Sequence, residues 1–164
     1  MSVDISLALG APVQDDFLHN PSNRSFNLLL VEDNLAEATL LASVLEEVDG
    51  KFRLSIARDG EEAIHHLLRH AAMTADRPDL ILLDLDLPRM NGHEVLKFVK
   101  ADLVMQSIPV IVLSCSESPS DIASAYRQGA SSYLTKPSDI DRTVDMVRTI
   151  KRYWLDFVRL PSFA

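Results

Sequence analysis

The chain has a single cysteine, Cys115, in 164 residues. One thiol cannot close an internal disulfide or build a cysteine-based zinc site, so the chain reads as cytosolic. It also lacks a basic run. Its 24 acidic side chains face 16 Lys and Arg, a formal charge of −8, which disfavours broad contact with nucleic acid or an anionic membrane. No apolar run reaches the length of a membrane span. Residues 5–13 form an apolar patch, but no Lys or Arg precedes it. Asp4 stands where a signal peptide needs positive charge, so a signal peptide is excluded.

What is present is enough apolar material, 47% of the residues, for one domain with a core, and too little length for two comfortable ones. Residues 1–25 show no sustained periodicity and end in polar residues; they read as a flexible tail ahead of one domain over 26–160. From Phe26 onward, short and almost continuously apolar runs recur over 26–31, 52–57, 80–83, 110–113 and 132–134. Such runs suit parallel strands covered on both faces.

Helical patterns separate the runs. Asn34 with Glu37 three residues on predicts a capped start, followed by a stripe of Leu40, Leu41, Val44 and Leu45. A second helix begins near Glu61 and turns Ala63, Ile64, Leu67 and Leu68 inward. A third follows Gly92, with Val95, Leu96 and Val99. A fourth opens on Ser118-Pro119 and stops at Gly129, and a fifth runs from Ser138 to about Val158. Strand and helix alternating five times predict a doubly wound α/β fold, in which ligands sit at the carboxyl ends of the strands.

Polar residues gather at those ends. The first run is followed by Glu32-Asp33, the third by Asp84 with Asp86 two further on, the fourth by Ser114, and the fifth by Thr135-Lys136-Pro137. Any one of these can simply face solvent or cap a helix. Acids from two neighbouring strands, however, repel one another unless a cation neutralises them or one is protonated. Magnesium suits one or two carboxylates and several waters. A hydroxyl and an ammonium added to that set make a phosphoryl-transfer site, with a carboxylate to attack phosphorus.

The ordered set resembles the receiver domain of bacterial response regulators. It comprises Val31-Glu32-Asp33-Asn34, Asp84-Leu85-Asp86-Leu87-Pro88 with Asn91-Gly92, Ser114, and Lys136-Pro137, and the likeness covers about residues 26–158. The resemblance implies a five-stranded (βα)5 flavodoxin-like sheet in the order 2-1-3-4-5 and a phosphorelay switch rather than an enzyme. The switch would catalyse only its own phosphorylation and dephosphorylation. It implies Asp84 as phospho-acceptor and a Mg2+ ion held by Asp33, by Glu32 acting mainly through water, by Asp84 and by the backbone carbonyl of Asp86. Ser114 would bond the phosphoryl group and Lys136 would pair with it, aimed by a cis bond before Pro137. The resemblance makes Tyr133 the switch aromatic, though on sequence alone a half-buried strand aromatic is the favoured account. Cys115, Asp86 and Ser116 depart from the commonest residues at their positions and bear on dephosphorylation rate.

The long last helix, the 67–78 segment and Leu160-Pro161 resemble single-domain regulators that pair with bacterial phytochrome kinases, which implies a phytochrome-type histidine kinase as partner. The helix carries two apolar stripes, one of Ile140, Val144, Val147, Trp154 and Val158, the other of Met146, Ile150, Tyr153 and Phe157. One stripe can pack on the sheet, and periodicity alone leaves the second as either extra core or a partner surface. As a partner surface, Ile150, Tyr153, Trp154 and Phe157 are expected at a homodimer interface, unless the tail residues Ile5, Leu7, Leu9 and Phe17 fold over them.

Two other readings compete. Asp84-Leu85-Asp86 also fits the Asp-x-Asp of haloacid dehalogenase-type phosphatases, but that motif normally ends the first strand and no later acid pair supplies their metal site. A receiver-like scaffold that is never phosphorylated is the third reading; the complete acid, hydroxyl and lysine set speaks against it.

Overall fold

The computed structural model describes residues 25–46, 52–70 and 76–161. Five strands, β1 (Phe26–Val31), β2 (Phe52–Ala57), β3 (Leu80–Asp84), β4 (Val110–Ser114) and β5 (Ser132–Thr135), alternate with five helices. These are α1 (Leu35–Glu46), α2 (Gly60–His70), α3 (Gly92–Ala101), α4 (Pro119–Arg127) and α5 (Ile140–Lys151), the last continued by a π-helical segment, Arg152–Phe157. All strands pair parallel, in the order β2-β1-β3-β4-β5.

The side-chain period of two along each strand divides the core into two layers. Leu29, Val31, Ile81, Leu83, Val110 and Val112 pack with Ala63, Leu67, Val95, Leu96 and Ala125 from α2, α3 and α4. The alternate residues, Leu28, Leu30, Leu80, Leu82, Ile111 and Leu113, pack with Leu41, Val44 and Val147 from α1 and α5. Both faces are thus covered, which is why the strands read as unbroken apolar runs. Burying each such Leu, Ile or Val is worth roughly 1.5–3 kcal/mol.

The helix starts are local chemistry. The Asn34 side chain accepts from the backbone N–H groups of Ala36 and Glu37. Asn91 and Glu94 form a reciprocal capping box on α3, and Gly129 ends the α4 turn with φ of 95°. Pro119 opens α4 as expected, but the Ser118 hydroxyl turns to Ser120 and makes no cap. The fifth helix is capped by Asp139, whose carboxylate accepts from the N–H of Arg142, and not by Ser138.

Several expectations for the last helix need correction. Ile150 lies in the core, 5% exposed, so it is absent from the outer surface assigned to it. Ile140 is exposed at 66% and so lies outside the inward stripe. Trp154 packs against the core edge, whereas Tyr153 and Phe157 are exposed. Ile150, Lys151 and Trp154 stand three, four and seven residues after the buried Val147, so they share its inward face. Beyond Lys151 the helix widens, and the N–H of Val158 donates to the carbonyl of Tyr153, five residues back. Lys151 itself is buried and donates to the carbonyl of Leu45 at 3.3 Å, docking α5 on the end of α1. No cis peptide bond occurs among the described residues, so the bond before Pro137 is trans. The parallel ladder, continued by a bond from the Lys136 N–H to the Ser114 carbonyl, carries Lys136 to the strand end without one. The tail, residues 1–25 apart from Ser25, and part of the 67–78 segment lie outside the described residues.

Candidate functional site

Strand register assembles the site. Val31 pairs with Leu83, so Glu32 comes level with Asp84. Asp84 pairs with Leu113, and Ser114 with Thr135. Glu32, Asp84, Ser114 and Lys136 therefore all emerge at the carboxyl edge, around the β1/β3 junction where the strand order reverses. That crevice is where ligands bind in open α/β sheets.

Lys136 is the hub. Its Nζ donates to Glu32 Oε2 at 2.7 Å, to Asp84 Oδ2 at 2.8 Å and to Glu37 Oε2 at 2.8 Å. The Glu32 and Asp84 side chains are 1% and 5% exposed, and that of Glu37 43%. The second oxygens of the two buried acids are also engaged. Asn34 N–H donates to Glu32 Oε1 at 3.1 Å and Asp86 N–H to Asp84 Oδ1 at 3.1 Å. Burial raises the Glu32 pKa and the neighbouring Asp84 charge adds to this, while Lys136 and the Asn34 N–H oppose it. For Lys136 burial works against the ammonium, but its hydrogen bonds to Asp84, Glu32 and Glu37 outweigh that and hold its pKa above the usual lysine range.

Glu32, Asp33 and Asp84 each present a carboxylate oxygen, all within 4.8 Å of one another. Asp33 is exposed. A hollow of 420 Å³ opens beside Glu32 and Asp33, between Leu35 and Ile56. Hard oxygen donors, clustered charge and room for water fit a small divalent cation.

Ser114 is buried, and its Oγ accepts from Ser116 N–H at 3.1 Å. Tyr133 is half-buried on β5, and its hydroxyl donates to the Ser116 carbonyl at 2.8 Å. Ser116 Oγ in turn donates to Asp121 at 2.6 Å. Ser114 and Tyr133 thus hold opposite ends of one residue, and α4 holds its side chain. Asp86 and Cys115 are exposed.

Two features of the site go beyond what the sequence pattern predicts. The pattern makes Glu37 a capping partner, yet it also meets Lys136. Its place in the first turn of a helix that starts directly after the two acids is the signal that finds it. The other is an ion pair from Arg89 to the buried Asp59, with Glu61 3.6 Å from the same guanidinium. Arg89 has φ of 62°, and the pair ties the loop after β3 to the start of α2. Nothing in the local sequence marks it.

Residues 28–148 match the family described as the response regulator receiver domain. The chain belongs to that family. It is the receiver domain of a two-component response regulator. The probable methanogenesis regulatory protein FilR2 of Methanothrix harundinacea is 40% identical over 85% of this chain and 90% of its own length. Response regulator Rcp1 of Synechocystis is 36% identical over 88% of this chain and 99% of its own. The crystal structure of the phosphorylated cyanobacterial phytochrome response regulator RcpA superposes with a TM-score of 0.79 at 38% identity, covering 84% of this chain and 99% of that one. The Mn2+-bound form of Rcp1 gives 0.77 at 37%, covering 83% and 99%. The match covers the same strand order and leaves the phosphatase reading without support. No helix among the described residues is long and apolar enough to cross a membrane.

Proposed function

We propose that Asp84 accepts a phosphoryl group from a histidine kinase in a Mg2+-dependent reaction, and that the protein signals by a change of conformation and of protein contacts. The observation that carries this reading is the convergence of the Glu32, Asp33 and Asp84 carboxylates on one another, with the Lys136 ammonium bonded to Asp84 and Glu32. Asp33 and Asp84 would hold the ion directly, Glu32 through water, and the Asp86 carbonyl would complete the protein's share. The bound ion would screen the charge of the incoming phosphoryl oxygens. Lys136 orients Asp84 through Oδ2 and is placed to pair with the transferred group. The Ser114 hydroxyl would bond that group, and its partner Ser116 would pass the movement to Tyr133.

Kinship with Rcp1 and RcpA supports a phytochrome-type kinase as phosphodonor. The exposed Tyr153 and Phe157 support a homodimer through the end of α5, with Trp154 at its margin and Ile150 excluded. A cytoplasmic location follows from the same reading.

Incubation with acetyl phosphate and Mg2+, followed by intact-mass measurement, tests it. The expected result is one labile phosphoryl adduct, lost in EDTA and absent from Asp84→Asn. A stable adduct on the Asn variant overturns the acceptor assignment. Sedimentation at about 100 μM tests the dimer: Phe157→Ala or Tyr153→Ala should weaken it, and a strict monomer refutes it.

A further inference from the structure

The last turn of α2 carries metal-ligating side chains that phosphoryl transfer does not use. His66 and His70 stand four residues apart on this helix, so they share a face. Their ring centroids are 4.5 Å apart and their planes inclined at 41°. Both line a cavity of 230 Å³ together with Asn27, Arg53, Ser55 and Asp76. Nδ1 of His70 is buried and has no hydrogen-bond partner among the described residues. A buried imidazole nitrogen left without a partner is unfavourable, and such groups call for an explanation.

We propose that His66 and His70 form a binding site for a borderline divalent transition-metal ion (zinc, nickel or copper), with Asp76 as a third ligand. Imidazoles bound side by side at ~2.0–2.1 Å from one ion have centroids about 4.5–5 Å apart, so the observed spacing already suits two of them. The same i, i+4 spacing supplies the two imidazoles of helical zinc motifs. Asp76 pairs with Arg53 at 3.3 Å, and both side chains are well exposed. An exposed pair of this kind is weak and yields to a metal. Glu32, Asp33 and Asp84 are the described group of three whose donor atoms already lie within 4.8 Å, so the histidines are the preformed part of the new site and Asp76 swings in.

The site is separate from the acidic one. Asn27 and Arg53 are the second residues of β1 and β2, at the amino end of the sheet, whereas Asp84 closes the carboxyl end. The two differ in selectivity as well. Carboxylates favour Mg2+ or Mn2+, and imidazoles favour Zn2+, Ni2+ and Cu2+. An ion on His66 and His70 fastens the end of α2 to the β1/β2 edge.

The test uses the full chain without an affinity tag, in saturating Mg2+ so that the acidic set is occupied. Calorimetric titration with ZnCl2 should show one equivalent bound. His66→Gln and His70→Gln should each weaken it about tenfold or more, and Asp76→Asn should weaken it less. His93→Gln should leave it unchanged. One equivalent of Cu2+ on the unaltered protein should give a spin-resonance signal split by two imidazole nitrogens, a readout that does not depend on any variant folding. Absence of saturable zinc uptake, uptake indifferent to both histidine substitutions, uptake lost instead in Asp33→Ala, or a copper signal from oxygen ligands alone would each overturn the proposal.

Discussion

Replacing Lys136 by Met separates the roles of the ammonium and the metal. The substitution keeps an unbranched stem and removes the charge that Glu32 and Asp84 share. Removing one partner from a buried ion pair costs roughly 3–5 kcal/mol. The contact to Glu37, whose side chain is 43% exposed, adds only ~0–1 kcal/mol. The loss has a ceiling, because a stranded carboxylate can take up a proton. Bringing a carboxyl of ordinary pKa 4.5 to its neutral form at pH 7 costs about 3 kcal/mol, falling by about 1.4 kcal/mol per pH unit. The expected destabilisation in EDTA at pH 7 is therefore about 3 kcal/mol.

The sign with pH follows from Glu32. Its folded pKa is raised above the unfolded value and rises further once Lys136 is gone. The folded state then binds more protons than the unfolded one, so the variant's deficit is greatest at high pH and shrinks as pH falls through the raised value. Magnesium should stabilise the variant more than the parent, because the ammonium that repels the ion is gone. A unit charge ~4 Å away contributes about 1 kcal/mol in water and about 4 kcal/mol at an effective dielectric of 20. Deleting it should tighten Mg2+ by at least about tenfold. Urea unfolding with EDTA and with Mg2+ measures both effects. A variant as stable as the parent in EDTA, or equal stabilisation of both by Mg2+, refutes the reasoning.

Three further outcomes are expected. A Cβ on Gly92 would lie 2.1 Å from the Asp84 carbonyl oxygen and 2.6 Å from Leu85 Cα, both backbone. Gly92→Ala should therefore cost ~1–3 kcal/mol in urea unfolding and slow labelling by acetyl phosphate. Tyr133→Phe removes the bond to the Ser116 carbonyl. It should cost ~0.5–1.5 kcal/mol while leaving the rate of Asp84 labelling unchanged. Burial, with the charges of His70 and Arg69 beside it and Glu62 opposing, holds the His66 pKa below 6.5. The folded state therefore disfavours the imidazolium. In metal-free buffer the stability this confers is complete above pH 6.5 and declines as pH falls below it, and His66→Gln should flatten that decline in urea midpoints between pH 7.5 and 5.5.

The parts of this molecule that sequence makes legible are those fixed by strand periodicity. Leu28 to Val31, Leu80 to Leu83 and Val110 to Leu113 are buried throughout, so each run announces a strand and the polar residue after it announces the site edge. The parts that stayed hidden depend on distances between elements. Ile150 and Tyr153 sit on one predicted stripe, but which of them enters the core is decided by how α5 lands on its neighbours: Ile150 is buried beside Val147, and Tyr153 is exposed. Arg89 and Asp59 are 30 positions apart, and only the folded loop brings them together. Ser118 looks like a cap, yet its hydroxyl lies 2.7 Å from that of Ser120 and bonds there instead.

In the proposed reaction, charge at the carboxyl edge would link the metal to the switch. Glu32, Asp33, Glu37 and Asp84 place four carboxylates against one ammonium. Lys136 divides itself among three of them, so none is fully neutralised. In that reaction, a divalent ion on Asp33 and Asp84 would remove most of the excess and lower the demand that Glu32 and Glu37 make on Lys136. The ammonium would then be available to a phosphoryl oxygen on Asp84, since the acids that compete for it would already be balanced. Phosphorylation would return negative charge to the edge, and the remaining uncommitted donor of the set would be the Ser114 hydroxyl. Ser114 Oγ meanwhile accepts from Ser116 N–H, and Ser116 holds both the Tyr133 hydroxyl and the Asp121 carboxylate. Drawing Ser114 toward the phosphoryl group therefore strains one residue that three elements share. In the proposed reaction, that shared residue converts a local change of charge into a movement of β5 and α4.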